Sequence, residues 1–390
     1  MRFQTFFLWT FILALAIILG GVSGIIADRT ILPNLAANTF LSRWDFFKKA
    51  TENTVIINKT EQITVSEDDS IEKIALQAAP SVVNILSVGK PNTNVQKVGE
   101  QSLSKNPDAL QGSGVLVTND GLVATYQTAI LIKDADYTVF LYNGTSYTAS
   151  LSSIDPLTNI AFLKIDANNV PAIAFANSDD TRPGRRIILI ANTSEEYRNR
   201  YSTGVIGNVD KTFNIAGGTV ASSEKWEGVF RVDAANTAPY LGGPAIGYNG
   251  ELIGIVGNAP SDGSFSLFLL PSNAVRTALE RKIRNNIDTQ AVLGVSYISI
   301  TKIYAASHNI ARDRGALIYT PSGKQGLAVL LGSPAEKAGI RIGDIIIAVS
   351  GKEINLDFPL SVAMSSFHKG DTVTLRVLRN GSEQDISITL

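Results

Sequence analysis

The middle of the chain is a series of short strand-like segments, and this series constrains the fold more than any other feature of the sequence. Each segment is rich in β-branched and aromatic side chains and is bounded by Gly, Asn, Asp or Pro. Short strands at such regular spacing are typical of an all-β barrel or sandwich. The segments are SVVNILSV, GVLVT, GLVATY, YTVFLYN, YTASLSSI, IAFLKI, RRIILIA, GVIGNV, GVFRVD, ELIGIVG and SFSLFLL.

Two predicted helices bound this series. Ser70 is predicted to cap an amphipathic helix, SIEKIALQAAP, which ends at Pro80. The segment SNAVRTALERKIRNN has helical periodicity and is predicted to close the unit near Asn286. The sequence therefore predicts a mainly β domain over residues 70–286.

The last hundred residues have start and stop signals of their own. Ser333 can cap a helix in which Glu336 completes the capping box and Gly339 ends it. The chain closes with a predicted hairpin, TVTLRVLRNGSEQDISITL, that turns at Asn380-Gly381. Residues 291–390 are therefore predicted to form a second compact domain.

The amino-terminal part contains a long uncharged segment. After a short tail, residues 1–5, residues 6–27 read FFLWTFILALAIILGGVSGIIA and carry no charge. As a helix this segment would span about 33 Å, enough to cross a bilayer core. Because it lacks a good signal-peptidase site, we predict an uncleaved transmembrane anchor rather than a cleaved signal peptide, with the bulk of the chain exported. Residues 28–69 are predicted to be a juxtamembrane linker.

Composition excludes several kinds of site. The chain has no cysteine, which rules out disulfides, thiol nucleophiles and thiolate metal ligands. Its net charge is -1, from 34 basic and 35 acidic residues, so no nucleic-acid partner is predicted. No cofactor or metal is predicted either. The only two histidines are His308 and His368, so a histidine-based site in the first 307 residues is impossible.

Four stretches of the chain resemble the HtrA serine peptidases, which combine a membrane anchor or signal, a trypsin-like double β-barrel and PDZ domains. The stretches follow each other in the order of that family, and the resemblance covers roughly residues 70–390. It implies a trypsin-like barrel domain followed by a PDZ domain. The stretches are GSGVLVTNDGLVATYQTAI, DPLTNIAFLKID, VDAANTAPYLGGPAIGYNGELIGIVG and SLFLLPSNAV.

The catalytic positions of that family are replaced in this chain. Aligned to the motifs, the histidine position falls on Thr128, the aspartate on Asn159 and the serine on Leu241. One backbone donor of the oxyanion hole falls on Pro239, which has no N–H. The resemblance therefore implies a degenerate site with no catalytic residue, although a Ser–Lys dyad stays conceivable.

The resemblance also implies a peptide-binding groove in the C-terminal domain. PDZ domains add an extended peptide to a sheet edge and bind its terminal carboxylate through backbone N–H groups. Here the carboxylate loop resembles Leu293-Gly294-Val295, and the accepting strand follows near Ser296. Gly294 is expected to let the ligand backbone approach closely. Met364, on the predicted helix LDFPLSVAMSSF, is expected to line the groove.

We therefore expect a membrane-anchored, HtrA-like pseudopeptidase that binds peptides or protein termini through its PDZ domain, as a scaffold or sensor in the cell envelope. Two alternatives stay open: a serine endopeptidase of envelope protein quality control, and a structural protein in which the barrels only space the PDZ domain from the membrane. The resemblance further implies a homotrimer or a partnership with an active HtrA relative.

Overall fold

The computed structural model describes residues 67–90, 109–192, 199–217, 220–235, 237–261, 264–287 and 289–390, with a few positions between residues 15 and 23. Within these residues, no helix has the length and apolar character needed to cross a membrane. Most of the predicted anchor, and nearly all of the predicted linker, lie outside the described residues. Residues Met1–Thr64 and Val65–Leu390 are separate units, and only the second is described below.

The first six strands close into an antiparallel barrel. The order around it is β1-β2-β3-β6-β5-β4, so the hairpin-connected β4, β5 and β6 fold back beside β1 and β3. Helix α1, Glu67–Ala78, precedes the barrel and begins three residues before the predicted cap, Ser70. The strands are β1 Val82–Gly89, β2 Ala109–Leu116, β3 Leu122–Tyr126, β4 Ala135–Phe140, β5 Ser146–Ile154 and β6 Ile160–Ile165.

The next strands build a second closed barrel, in the order β10-β13-β12-β11-β7-β8. Strand β8 is much longer than its predicted core GVIGNV, and β9 leaves the barrel altogether. Helix α2, Ser272–Ile283, closes the domain as predicted. The strands are β7 Arg186–Asn192, β8 Asn199–Asn214, β9 Ala221–Ser222, β10 Glu227–Ala234, β11 Pro244–Gly247, β12 Leu252–Ser261 and β13 Ser264–Pro271.

One hydrophobic core joins the two barrels. It contains Tyr126 and Phe162 from the first barrel together with Ile188 and Phe268 from the second. The rings of Tyr126 and Phe268 meet edge to face, with centroids 5.8 Å apart. Because the barrels share this core, the loops at their junction are held in fixed relative positions.

The C-terminal domain is a sheet flanked by short helices, and its predicted local signals are confirmed. Ser333 accepts a hydrogen bond from the Glu336 N–H at 3.2 Å, and the final hairpin turns with positive φ at Asn380 and Gly381. The elements are β14 Ser296–Ser299, α3 Lys302–Ser307, β15 Ala316–Ile318, α4 Gln325–Ala328, α5 Pro334–Lys337, β16 Ile345–Val349, β17 Lys352–Glu353, α6 Leu360–Met364, β18 Thr372–Arg379 and β19 Ser382–Thr389.

A strand from the barrel domain completes this C-terminal sheet. The order is β19-β18-β16-β15-β14-β9, with β17 beside β16. Strand β9 pairs antiparallel with β14, and Ser222 lies opposite Ser296 while Ala221 lies opposite Tyr297. The sequence did not predict this pairing, which joins segments more than seventy residues apart.

Candidate functional site

The loop that contains Leu241 packs against the first barrel. The backbone carbonyl of Leu241 accepts a hydrogen bond from the Ser113 N–H at 3.4 Å. Gly242, with φ +78°, approaches so closely that a Cβ there would lie 2.3 Å from Thr125 Oγ1 and 2.7 Å from the Ala129 side chain. Only glycine fits this close approach, which brings Leu241 beside the turn that carries Thr128.

Thr128 lies on the surface, in a 3-10 turn directly after β3. Its hydroxyl donates to Asn258 Oδ1 on β12 at 2.6 Å, so it links the two barrels. Within the described residues, no hydrogen bond joins the Thr128 and Asn159 side chains. Each of these two predicted positions is therefore bonded to other residues and not to the other.

Asn159 is buried and has a left-handed backbone, with φ +60°. Its amide donates to the Tyr126 hydroxyl at 3.2 Å and accepts from Lys225 Nζ at 2.6 Å. Burial raises the pKa of Tyr126 to about 12, so this phenol is a poor base near neutral pH. Burial also lowers the pKa of Lys225, whose ammonium donates in addition to the Pro156 carbonyl at 2.7 Å.

An ion pair that the sequence did not reveal fixes the same loop. Asp155 is fully buried and accepts from Arg281 of α2, from Nη2 at 2.7 Å and from Nε at 3.0 Å, along one edge of the guanidinium. It also accepts from the Thr158 N–H at 3.0 Å, which forms the turn before Asn159. The bidentate pair ties the loop to the helix that closes the barrel domain.

The backbone N–H groups around Leu241 are already used inside the protein. Pro239 has no N–H, and the Leu241 N–H donates to the Ala238 carbonyl at 3.3 Å. The next two, on Gly242 and Gly243, donate to Val256 and Tyr240 carbonyls at 2.9 Å and 2.8 Å. The Leu241 side chain is half-buried and packs against the core that joins the barrels. The N–H groups of Leu241, Gly242 and Gly243 therefore all have acceptors within the protein.

In the C-terminal domain, the structure brings the predicted peptide-binding loop and strand together. Leu293 and Val295 are buried, and Gly294 between them has φ +81°. A Cβ on Gly294 would lie 2.4 Å from the Ser333 Cβ. The glycine is therefore needed for its own backbone conformation and for contact with Ser333, whereas the sequence suggested contact with a ligand backbone.

The N–H groups of this loop bind a neighbouring segment of the same chain. Leu293 and Gly294 donate to Glu224 Oε1 at 3.1 Å and 2.9 Å. Val295 donates to Ser223 Oγ at 3.1 Å. Met364, the other predicted residue, lies on α6 and is buried in the domain core, 2 % exposed.

A buried carboxyl group, on Glu227, joins the barrel domain to the strand that follows the predicted peptide-binding loop. Tyr297 of β14 donates its hydroxyl to Glu227 Oε2 of β10, and the Tyr297 oxygen accepts from the Ser361 N–H at 3.3 Å. Glu227 is 2 % exposed, and burial raises its carboxyl pKa to about 7. Sequence reasoning missed Glu224, Lys225 and Glu227, because their partners are distant along the chain and no local motif marks them.

Comparison with known proteins agrees with this architecture. A model of the trypsin-like peptidase domain matches residues 112–255, and a model of the PDZ domain matches residues 291–390. Among solved structures, "HtrA-type protease AlgW with decapeptide" superposes with a TM-score of 0.58 at 23% identity, covering 82% of this chain and 97% of that one. The tripeptide complex of the same protease gives a TM-score of 0.59, also at 23% identity, covering 82% of this chain and 95% of that one.

Curated relatives have names of the same kind. The chain is 32% identical over 296 residues to the "Probable periplasmic serine endoprotease DegP-like" of Chlamydia muridarum, covering 75% of this chain and 56% of the relative. It is 29% identical over 337 residues to the "Serine protease Do-like HtrA" of Bacillus subtilis, covering 83% of this chain and 74% of the relative. The chain thus spans about half the length of the DegP-like relatives. It combines a trypsin-like peptidase domain of the HtrA/DegP type with a PDZ domain.

Proposed function

We propose that this chain is an HtrA-like pseudopeptidase, which binds peptides or protein termini through its PDZ domain and does not cleave them. One observation carries the proposal: the first 307 residues contain no histidine, so no Ser-His pair can form in either barrel. A serine hydroxyl without an adjacent base is a weak nucleophile.

The contacts around the three former triad positions support the same proposal. Thr128 is bonded to Asn258, and Asn159 is held between Tyr126 and Lys225. Leu241 presents an apolar side chain where the family's nucleophile would stand. Loss of one oxyanion donor alone typically lowers the rate roughly a hundred- to a thousandfold.

The alternative is a serine endopeptidase with a lysine base, and Lys225 is the residue that favours it. Its pKa is lowered by burial, as a general base requires, and it contacts the loop of Asn159. Its ammonium, however, donates to an amide oxygen and a backbone carbonyl, and neither is a hydroxyl that could be deprotonated.

A reactivity assay separates the two functions. The purified protein should neither hydrolyse an unfolded protein such as casein nor form an adduct with a serine-directed phosphonate. Leu241→Ser alone should stay inactive, since it adds a hydroxyl but no base and leaves Pro239 in place. A labelled serine in the unmodified protein, lost in Lys225→Met, would establish the endopeptidase instead.

A gain-of-function variant provides the positive control. Thr128→His, Asn159→Asp, Pro239→Gly and Leu241→Ser are needed together to rebuild base, orienting group, donor and nucleophile. Phosphonate labelling of this fourfold variant would show that the assay detects an HtrA-type site in this scaffold.

We also infer that the protein is held at the outer side of a membrane by residues 6–27. The periplasmic relatives support an extracytoplasmic location, and the uncharged segment supports the anchor. As a scaffold or sensor it would act as a homotrimer or beside an active HtrA relative. A purely structural spacer, the third reading, predicts no saturable peptide binding.

A further inference from the structure

A four-residue segment of the barrel domain, residues 221–224, occupies the groove of the PDZ domain in the manner of a ligand. We call it the inserted segment. We propose that it is a built-in ligand of the PDZ groove, and that an external carboxyl-terminal peptide binds only by displacing it. This inference rests on the proposed function, in which the groove captures protein termini.

The inserted segment pairs with the strand that accepts ligands in PDZ domains. Ala221 and Ser222 run antiparallel to β14, and the Ser223 N–H donates to the Val295 carbonyl at 3.1 Å. Ala221 is 6 % exposed and belongs to the hydrophobic core of the PDZ domain. The segment therefore supplies both the main-chain pairing and the side-chain burial by which an extended peptide is recognised at a sheet edge.

The carboxylate of Glu224 takes the position of a peptide's terminal carboxylate. Its Oε1 accepts from the N–H groups of Leu293 and Gly294, the loop that the sequence predicts as the carboxylate nest. The third N–H of that loop, on Val295, is bonded to the hydroxyl of Ser223. All three donors are thus occupied, and an external carboxylate would have to replace Glu224 and Ser223.

On its other side, the inserted segment is hydrogen-bonded to the barrel domain, and the residues that follow it contact the loop of Asn159. Asn214 Nδ2 donates to the carbonyls of Ser222 and Lys225 at 3.1 Å and 2.8 Å. The next residue, Lys225, reaches Asn159, and the Trp226 N–H donates to the Leu157 carbonyl at 2.8 Å. Displacement of the segment would therefore also disturb the loop of Asn159, so the barrel domain would register whether the groove holds an external peptide.

The inserted segment also indicates which external ligands fit. A competitor needs a free carboxylate for the loop of residues 293–295 and a small residue opposite Tyr297, where Ala221 now lies. We therefore choose as probe a fluorescein-labelled hexapeptide, Gly-Thr-Val-Ala-Ser-Val, with a free carboxyl terminus. The same peptide with an amidated terminus is its control.

The first test compares Glu224→Ala with Glu280→Ala, which removes an exposed carboxylate from α2. Glu224→Ala abolishes the charge-assisted hydrogen bonds to the loop, so more of the protein has an open groove. We expect the hexapeptide to bind Glu224→Ala at least roughly tenfold more tightly than it binds the unmodified protein. Its affinity for Glu280→Ala should equal that for the unmodified protein, and the amidated peptide should bind none of the three proteins.

The second test follows the groove without any peptide. Amide hydrogen exchange of residues 293–295 should be slow in the unmodified protein and in Glu280→Ala, but faster in Glu224→Ala. Ser222→Cys with Ser296→Cys then locks the segment, because facing positions on paired strands bring Cα atoms within about 4.5–5.5 Å, a distance that a disulfide spans. The chain has no other cysteine. The oxidised form should bind no hexapeptide, and reduction should restore binding.

The outcomes separate this inference from the proposed function. Unchanged exchange of residues 293–295 in Glu224→Ala overturns the built-in ligand, whatever the peptide does. Faster exchange without binding of any free-carboxylate peptide leaves the built-in ligand standing and overturns peptide capture. Equal peptide affinity of the oxidised and reduced double cysteine protein would likewise refute displacement.

Discussion

Glu227 should make the stability of the protein depend on pH in a direction opposite to that of a typical surface carboxylate. Its pKa rises from 4.5 to about 7, chiefly because burial disfavours the charged form, with Asp210 adding a like charge. The hydroxyl of Tyr297 donates to one of its oxygens, while Oε1 has no hydrogen-bond partner in the part of the chain that the structure describes.

The sign and size of this pH dependence follow from the linkage between protonation of Glu227 and folding. Between pH 4.5 and about 7 the folded protein keeps a proton that the unfolded chain has released, so the free energy of unfolding falls as pH rises. At 1.36 kcal/mol per pKa unit, the full loss is about 3 kcal/mol, complete above pH 7. Below pH 4.5 both states are protonated, and the contribution no longer changes with pH.

Glu227→Gln should remove this dependence, because glutamine keeps an acceptor for the Tyr297 hydroxyl and carries no charge. We expect the variant to match the unmodified protein at pH 5 and to exceed its free energy of unfolding at pH 8 by up to about 3 kcal/mol. Urea unfolding at pH 5, 6, 7 and 8 measures the difference, in which other titrating groups cancel. Glu72→Gln, on the exposed face of α1, is the control. A difference between the two proteins that is constant from pH 5 to 8 would refute the reasoning.

Two further predictions concern the buried ion pair and the anchor. Asp155→Asn leaves the guanidinium of Arg281 buried without its counter-charge and should cost about 3–5 kcal/mol in urea unfolding. Asp385→Asn, which breaks the exposed pair with Arg376, is the control and should leave stability almost unchanged. Similar losses in the two variants would contradict this assignment. A reporter enzyme fused after Leu390 should be active only outside the cytoplasm and should sediment with membranes; a soluble, shortened main product would instead indicate signal-peptide cleavage.

Local sequence signals predicted most of the barrel strands, the helix capped by Ser333 and the final hairpin of the C-terminal domain. Strand β6, Ile160–Ile165, has the predicted bounds, and the final hairpin turns at the predicted Asn380-Gly381. These elements follow from alternation, turn chemistry and caps, which neighbouring residues determine. Strand β9 could not be predicted, because its two residues become a strand only through β14, which tertiary folding brings to it.

For the candidate sites, too, the sequence predicts positions from local motifs but not the contacts that folding creates between distant residues. Motif order predicts Thr128, Asn159 and Leu241 as the triad positions. It could not predict their hydrogen-bond partners, since Asn258 lies 130 residues from Thr128 and Lys225 lies 66 residues from Asn159. Gly294 stays a predicted peptide-binding residue, and the structure adds a packing reason for a glycine there, since a Cβ would lie 2.4 Å from the Ser333 Cβ. Gly294→Val would therefore strain the loop itself, and loss of binding in that variant would say little about ligand contact.

The pairing of β9 with β14 has a consequence for self-association. Without β9, the outer edge of β14 would expose unpaired N–H and C=O groups, and open sheet edges invite pairing with another molecule. The inserted segment therefore shields this edge for as long as no ligand replaces it. A protein whose inserted segment has been released and whose groove is empty should therefore self-associate as its concentration rises. At high local concentration, such an unliganded open state would be short-lived.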